Sequence, residues 1–221
     1  VPLSKAGKSG RSRSARRSRA KPASTAARVA TPTRELSETL DVKHFSAQLE
    51  AAIQASSRAI VEYGNSHKDA QGLGSTVTAA LVIDGHLFVA NVGDSRTYLY
   101  HDGKLQRITQ DHSLVERLVQ TGQIERAEVY DHPHRNLIYR SLGANRADVD
   151  HVDIFFERLL PGDALLLCCD GLWEMVRDDE LERILTELTD PAAACDRLIE
   201  RANANGGEDN ITAVVVRCAA G

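Results

Sequence analysis

The chain has 221 residues, of which 42% are hydrophobic, and its formal net charge is -4. These values suit one folded domain of ordinary size with a modest extra segment. No apolar stretch approaches the roughly 18 residues that a membrane-spanning helix needs, so we expect no membrane span. Because the spacing of the four cysteines matches neither a zinc site nor a disulfide framework, we expect reduced thiols in a cytoplasmic protein. The cysteines are Cys168, Cys169, Cys195 and Cys218.

The charge is distributed unevenly along the chain. Residues 1–34 contain ten Lys or Arg and no acidic residue, whereas residues 35–221 carry 17 basic against 31 acidic residues, a balance of -14. An acidic body of this kind argues against a nucleic-acid-binding platform. Residues 1–34 have few large apolar side chains, so we predict that they form a basic, disordered segment and that residues 35–221 form the folded domain.

Three interpretations of the basic segment remain open. It would serve as an arm that binds nucleic acid or acidic lipid, as an organellar transit peptide, or it is an artefact of the start of the sequence. The chain begins with Val rather than Met, which suits the third interpretation.

The first half of the domain is predicted to contain one helix followed by paired strands. Apolar residues recur on one helical face over residues 42–63, which predicts an amphipathic helix. The pattern then becomes that of β-strands, at residues 76–83, 86–92, 95–100 and 104–108. The dipeptides Asp84-Gly85 and Asp102-Gly103 separate these strands in pairs and favour two tight hairpins.

The second half mixes helices and strands. Ser113 and Glu116 have the spacing of a capping box, which predicts the start of a short helix. Further strands are predicted at residues 152–160, 164–169 and 210–218, and further helices at 179–188 and 191–202. Helices at the ends of a large antiparallel sheet system place the chain in the α+β class.

Three aspartates stand at the edges of apolar strands, beside glycine or a small polar residue: Asp94, Asp170 and Asp209. A carboxylate at the end of a strand can point into a cleft while the strand fixes its backbone. If the three converged, a donor set of oxygens without His or Cys would favour a hard cation such as Mg²⁺ or Mn²⁺. Each aspartate alone is more typical of a turn residue that hydrogen-bonds its own backbone, and spacing alone does not show that the three converge.

A series of short motifs runs through the chain in a fixed order. The motifs are Gly72-Leu73-Gly74-Ser75-Thr76, Ala90-Asn91-Val92-Gly93-Asp94-Ser95-Arg96, Gln110-Asp111-His112-Ser113, His132-Pro133-His134-Arg135-Asn136, Arg140-Ser141-Leu142-Gly143, Pro161-Gly162-Asp163, Leu167-Cys168-Cys169-Asp170-Gly171-Leu172-Trp173 and Gly206-Gly207-Glu208-Asp209-Asn210-Ile211-Thr212. From about residue 45 to residue 216, the series resembles the successive motifs of PPM-type (PP2C-like) metal-dependent protein serine/threonine phosphatases, in their compact bacterial form.

The resemblance implies a β-sandwich of two antiparallel sheets flanked by helix pairs, with a metal centre at one end. In that family, the aspartates that match Asp170 and Asp209 bind one ion of a binuclear Mn²⁺/Mg²⁺ pair. The aspartates that match Asp94 and Asp170 bind a weaker third ion. A metal-bound water then attacks the phosphorus of a phosphoserine or phosphothreonine, so no protein nucleophile is required. The implied partners are phosphorylated proteins that a Ser/Thr kinase has modified.

The sequence departs from the family pattern near its N-terminal end. The family domain opens with a phosphate-binding Arg and then has an Asp-Gly-Met-Gly-Gly-His strand, whose aspartate bridges the two metals, and neither feature occurs here. Two explanations remain open. Either the sequence is N-terminally incomplete (truncated, wrongly started or frameshifted) and belongs to a working phosphatase, or it is a catalytically inactive pseudophosphatase that binds phosphoproteins. The phosphatase is the first hypothesis.

Three further residues have two interpretations each. Arg96 and Arg135 would bind phosphate or form structural ion pairs. Trp173, which follows the Asp170 motif, is predicted to lie in the core or in the wall of a cleft.

Overall fold

The computed structural model describes residues 41–143 and 151–219. Helix α1 (Val42–Ser66) is capped by the preceding residue, Asp41, whose Oδ1 accepts a hydrogen bond from the His44 backbone N–H at 2.9 Å. This contact satisfies one of the free N–H groups at the start of the helix. The predicted helix is confirmed and continues three residues beyond its predicted end. The predictions for residues 1–34 lie outside the described residues.

The first sheet contains three antiparallel strands in the order β1 (Val77–Ile83), β2 (His86–Val92) and β5 (Asp153–Arg158). The hairpin between β1 and β2 turns at Asp84 and Gly85, whose φ angles are 48° and 74°. Positive φ at both central residues is what a type I′ turn requires, and this turn matches the twist of the strands. The first predicted hairpin is therefore confirmed.

The second sheet contains four antiparallel strands, in the order β4 (Lys104–Arg107), β3 (Arg96–His101), β6 (Ala164–Cys168) and β7 (Ala213–Arg217). The β3–β4 hairpin turns at Asp102 and Gly103, with φ angles of 51° and 78°, which confirms the second predicted hairpin. Strand β7 begins three residues later than predicted. Residues 210–212 run outside the ladder, where they contact the end of β6.

The two sheets pack face to face and carry helices on their outer faces. Between the sheets, Leu87 and Val89 of the first are clustered with Leu165 of the second. Helix α1 covers the outer face of the first sheet through a cluster that contains Ile53 and Ala90. Helices α4 (Asp178–Glu187) and α5 (Pro191–Ala204) cover the second sheet. The predicted sandwich is confirmed, and within the described residues α1 alone covers the first sheet whereas a helix pair covers the second.

Helix α2 (Leu114–Gln120) shows half of the predicted capping box. The Ser113 hydroxyl accepts a hydrogen bond from the Glu116 backbone N–H at 3.3 Å. The Glu116 carboxylate binds Arg107 and Arg126 instead of reaching back to the start of the helix. Ion pairing with two guanidinium groups outcompetes a single bond to a backbone N–H.

Three short helices have no counterpart among the predicted elements. Two are 3₁₀ helices, at Lys68–Ala70 and Arg126–Asp131, and the third is the single turn α3 (Asp170–Trp173) directly after β6. In the part of the chain that the structure describes, there is no helix long and apolar enough to cross a membrane.

Candidate metal centre and active site

The register of the second sheet brings two of the three aspartates to one end of the sandwich. Strands β3 and β6 pair antiparallel, with Arg96 opposite Cys168. Asp94 lies two residues before Arg96, and Asp170 lies two residues after Cys168. Because the two strands run in opposite directions, both aspartates lie beyond the same end of the strands.

The third aspartate, Asp209, lies at the same end because it precedes strand β7. Ala213 pairs with Cys168, and Asp209 lies four residues before Ala213. The Asp209 loop packs directly on Gly171, where a Cβ atom would overlap the carbonyl oxygen of Asn210 and would lie 3.4 Å from the Asp209 Cβ. The structure therefore places all three predicted site residues at one end of the sandwich.

The carboxylates at this end repel one another. Asp94 is buried, with 7% of its surface exposed. Burial, together with the nearby Asp170 carboxylate, raises the pKa of Asp94 to about 7. Burial also raises the pKa of Glu174, to which the Asp170 and Glu208 carboxylates contribute in the same direction. A bound cation would relieve this repulsion.

A buried tryptophan holds the Asp94 backbone from below. Trp173 is 1% exposed, and its Nε1–H donates to the Asp94 carbonyl oxygen at 2.9 Å. The Arg96 guanidinium carbon lies 3.5 Å from the centre of the Trp173 ring, and its Nη2 pairs with Asp111 Oδ2 at 2.6 Å. Arg96 is thus a structural ion-pair residue, and Trp173 belongs to the core beneath the site.

His112, which the sequence did not single out as a site residue, hydrogen-bonds the backbone of Gly93, the residue before Asp94. His112 Nδ1 accepts a hydrogen bond from the Gly93 backbone N–H at 3.0 Å, which assigns the ring proton to Nε2. Nε2 then donates to Asp153 Oδ2 at 3.0 Å. The motif Gln110-Asp111-His112-Ser113 contained the signal, but only the β2–β5 pairing brings Asp153 near the ring.

An open pocket of about 430 Å³ is lined by Glu174, four residues after Asp170, and by Glu208, which directly precedes Asp209. Its lining includes Arg135 and Arg177, together with Glu174 and Glu208. Arg135 lies 3.5 Å from a carboxylate oxygen of each glutamate. The pocket thus contains two guanidinium groups together with the carboxylates of Glu174 and Glu208.

The family model described as "Protein phosphatase 2C" matches residues 12–118 and 162–211. The chain belongs to the protein phosphatase 2C family. The match begins at residue 12, within the predicted basic segment of residues 1–34. The boundary between residues 34 and 35 stays a prediction.

Curated relatives of this phosphatase 2C chain come from several bacteria. A serine/threonine phosphatase stp of Listeria monocytogenes is 38% identical over 184 residues, which is 83% of this chain and 72% of that protein. The serine/threonine protein phosphatase PstP of Mycobacterium tuberculosis is 38% identical over 169 residues, 76% of this chain but 32% of the longer PstP protein.

Solved structures of phosphatases share the fold. A serine/threonine phosphatase from Staphylococcus aureus has a TM-score of 0.75 and 33% identity over 84% of this chain and 72% of that chain. The catalytic domain of PstP, solved in complex with two manganese ions, has a TM-score of 0.71 and 35% identity over 81% of this chain and 73% of that chain.

The predicted aspartates fit part of a divalent-cation site. Their donor atoms are all oxygens, as hard cations prefer, and the raised pKa of Asp94 indicates a position where a cation would be stabilised. Within residues 41–143 and 151–219, however, no three His, Cys, Asp or Glu side chains form a ready metal-binding group. Asp170 Oδ1 and Asp209 Oδ1 each accept a hydrogen bond from the next backbone N–H, at 2.9 and 2.6 Å. Both aspartates therefore also make the local backbone hydrogen bond of the alternative interpretation.

Proposed function

We propose that the chain hydrolyses phosphoserine and phosphothreonine in proteins, with divalent cations held by Asp170 and Asp209 and, at a weaker position, by Asp94. The main support is the strand register, from which these aspartates follow at one end of the sandwich, in a family whose relatives are named serine/threonine phosphatases. Those names do not favour the pseudophosphatase alternative.

The cations would be Mn²⁺ or Mg²⁺, as a pair with a third, weaker ion. Bound divalent cations lower the pKa of water and offset negative charge on phosphoryl oxygens, which makes water a nucleophile near neutral pH.

The residues of the chain supply position and charge around this chemistry. The Gly93 backbone N–H donates to His112 and the Asp94 backbone carbonyl oxygen accepts from Trp173, so the backbone that carries the Asp94 side chain is held at both of these groups. Arg135 and Arg177 line the adjacent pocket and are paired there with acidic side chains, so a phosphate group that binds them would have to displace Glu174, Glu208 or Asp131. Proteins modified by a Ser/Thr kinase are the substrates we propose, and a cytoplasmic location stays a prediction.

The test is hydrolysis of phosphoserine, phosphothreonine and phosphotyrosine peptides by the full chain, with Mn²⁺, Mg²⁺ or EDTA. We expect turnover of the first two peptides that EDTA abolishes. Asp170→Asn should lower kcat/KM at least 100-fold, because it removes a charged ligand, about 3 kcal/mol of transition-state stabilisation. Asp179→Asn, which changes an exposed aspartate at the start of α4, is the matched control and should leave turnover unchanged.

Binding of phosphopeptides without turnover at any metal concentration would contradict the proposal and would favour the pseudophosphatase. Turnover that survives both EDTA and Asp170→Asn would place the chemistry elsewhere in the chain.

A further inference from the structure

A cysteine thiol joins the two loops that carry Asp170 and Asp209. Cys169 precedes Asp170, and its Sγ donates a hydrogen bond to the Asn210 carbonyl oxygen at 3.0 Å. The Thr212 backbone N–H donates to the same Sγ at 3.1 Å. One sulfur atom therefore bonds to the backbone on both sides of Ile211, immediately after Asp209.

The thiol acts where the regular sheet ends. The β6–β7 ladder stops at the pair Cys168–Ala213, and one further backbone contact, from the Cys169 N–H to the Thr212 carbonyl oxygen, is long at 3.4 Å. Beyond it, β6 turns into α3 and the backbones no longer pair in register. The two bonds to Sγ thus replace the ladder over the residues that lead to the aspartates.

The fit of Gly171 makes the junction close as well as bonded. A Cβ atom at Gly171 would overlap the Asn210 carbonyl oxygen, so the loops approach as nearly as their backbones allow. The same carbonyl oxygen accepts the hydrogen bond from Sγ. Contact at Gly171 sets how near the loops come, and the thiol prevents them from separating.

We propose that Cys169 is a positioning residue that fixes the separation of the Asp170 and Asp209 carboxylates and thereby sets the affinity of this pair for a divalent cation. The proposal rests on the proposed function for the identity of the cation. The contacts that carry it, from Sγ to the Asn210 carbonyl and from the Thr212 N–H to Sγ, do not depend on that function.

The test measures Mn²⁺ binding by electron paramagnetic resonance and amide hydrogen exchange on the full chain. In Cys169→Ala we expect Mn²⁺ to bind about threefold to tenfold more weakly and the Thr212 amide to exchange faster by a similar factor, the usual effect of losing one or two hydrogen bonds. Cys169→Ser keeps a donor and an acceptor, and it should stay within about twofold of the wild type in both measurements.

Cys195→Ala is the matched control. It also removes a partly buried thiol beside β7, but the Cys195 Sγ lies 3.7 Å from the Ala213 carbonyl oxygen and contacts neither aspartate loop. We expect wild-type Mn²⁺ affinity and wild-type exchange at Thr212 in this variant.

The outcomes distinguish the proposed role of Cys169 from the proposed phosphatase function. Unchanged Mn²⁺ affinity and unchanged Thr212 exchange in Cys169→Ala would overturn the inference, as would equal losses in Cys195→Ala. If Cys169→Ala does not fold, Cys169→Val takes its place, because it also lacks a hydrogen-bonding group: weakened Mn²⁺ binding with faster Thr212 exchange would support the inference, and wild-type values of both would contradict it. A wild-type chain that takes up no Mn²⁺ would overturn the proposed function. Exchange at Thr212 would then decide by itself whether Cys169 holds the two loops together.

Discussion

Glu116 offers a test of the ion network that supports the site from the α2 side. Its carboxylate receives hydrogen bonds from Arg107 at 2.8 Å and from two nitrogens of Arg126, each at 3.0 Å. Arg107 also binds Asp111, the partner of Arg96, at 3.2 Å. Burial alone would raise the pKa of Glu116, but the bonds from Arg126 and Arg107 outweigh it and lower the pKa from 4.5 to about 2.

The magnitude follows from the pKa. Each tenfold change in proton affinity corresponds to about 1.4 kcal/mol, so the lowered pKa corresponds to about 3 kcal/mol of folding stability. The Arg126 side chain is 51% exposed, and solvent screening there reduces our expectation to about 2 kcal/mol. Because the pKa is lower in the folded state, this stability is present above pH 4.5 and is lost as the pH falls from 4.5 to 2.

The assay is urea unfolding of the wild type and Glu116→Gln at a series of pH values. We expect the variant to be about 2 kcal/mol less stable at pH 7, with a difference that shrinks as the pH falls below 4.5. Glu187→Gln removes an exposed carboxylate of α4 and serves as the control, with no such difference. A Glu116→Gln protein as stable as the wild type at pH 7, or a difference that does not vary with pH, would refute the reasoning.

Two further predictions concern the site itself. Trp173→Phe removes the hydrogen bond to the Asp94 carbonyl oxygen and keeps most of the ring, so we expect Mn²⁺ affinity to fall severalfold, corresponding to about 1 kcal/mol, in a titration of the folded protein. Unchanged affinity would show that Trp173 serves the core alone. Arg135→Ala removes one of the two guanidinium groups of the pocket, and we expect a raised KM for phosphopeptides with a smaller change in kcat, measured by steady-state kinetics. A fall in kcat at unchanged KM would place Arg135 in the chemical step instead.

The hairpins and long helices were accessible from the sequence because their signals are local. Asp84-Gly85 and Asp102-Gly103 adopt the positive φ angles of type I′ turns, and the strands beside them follow from that turn. Helix α5 begins at Pro191 with its Asp190 cap in place, where Asp190 Oδ2 accepts the Ala193 N–H at 2.8 Å.

Local signals failed where a distant partner competes for a side chain or a backbone group. Glu116 has the spacing of a capping residue, yet it pairs with Arg107 of β4 and with Arg126 of the 3₁₀ helix Arg126–Asp131. Residues 210–212 have the apolar pattern of a strand, yet the Cys169 thiol and the close fit at Gly171 hold them outside the ladder.

The sequence by itself determined the family, the fold class and the identity of the three candidate aspartates, because these depend on residue types in a fixed order. Only the tertiary structure decided that the aspartates share one end of the sandwich. That result depends on two strand registers, Arg96 opposite Cys168 and Cys168 opposite Ala213, which join residues more than 40 positions apart. No local pattern encodes such pairing, because it is selected by burial of both sheets against each other and against the helices.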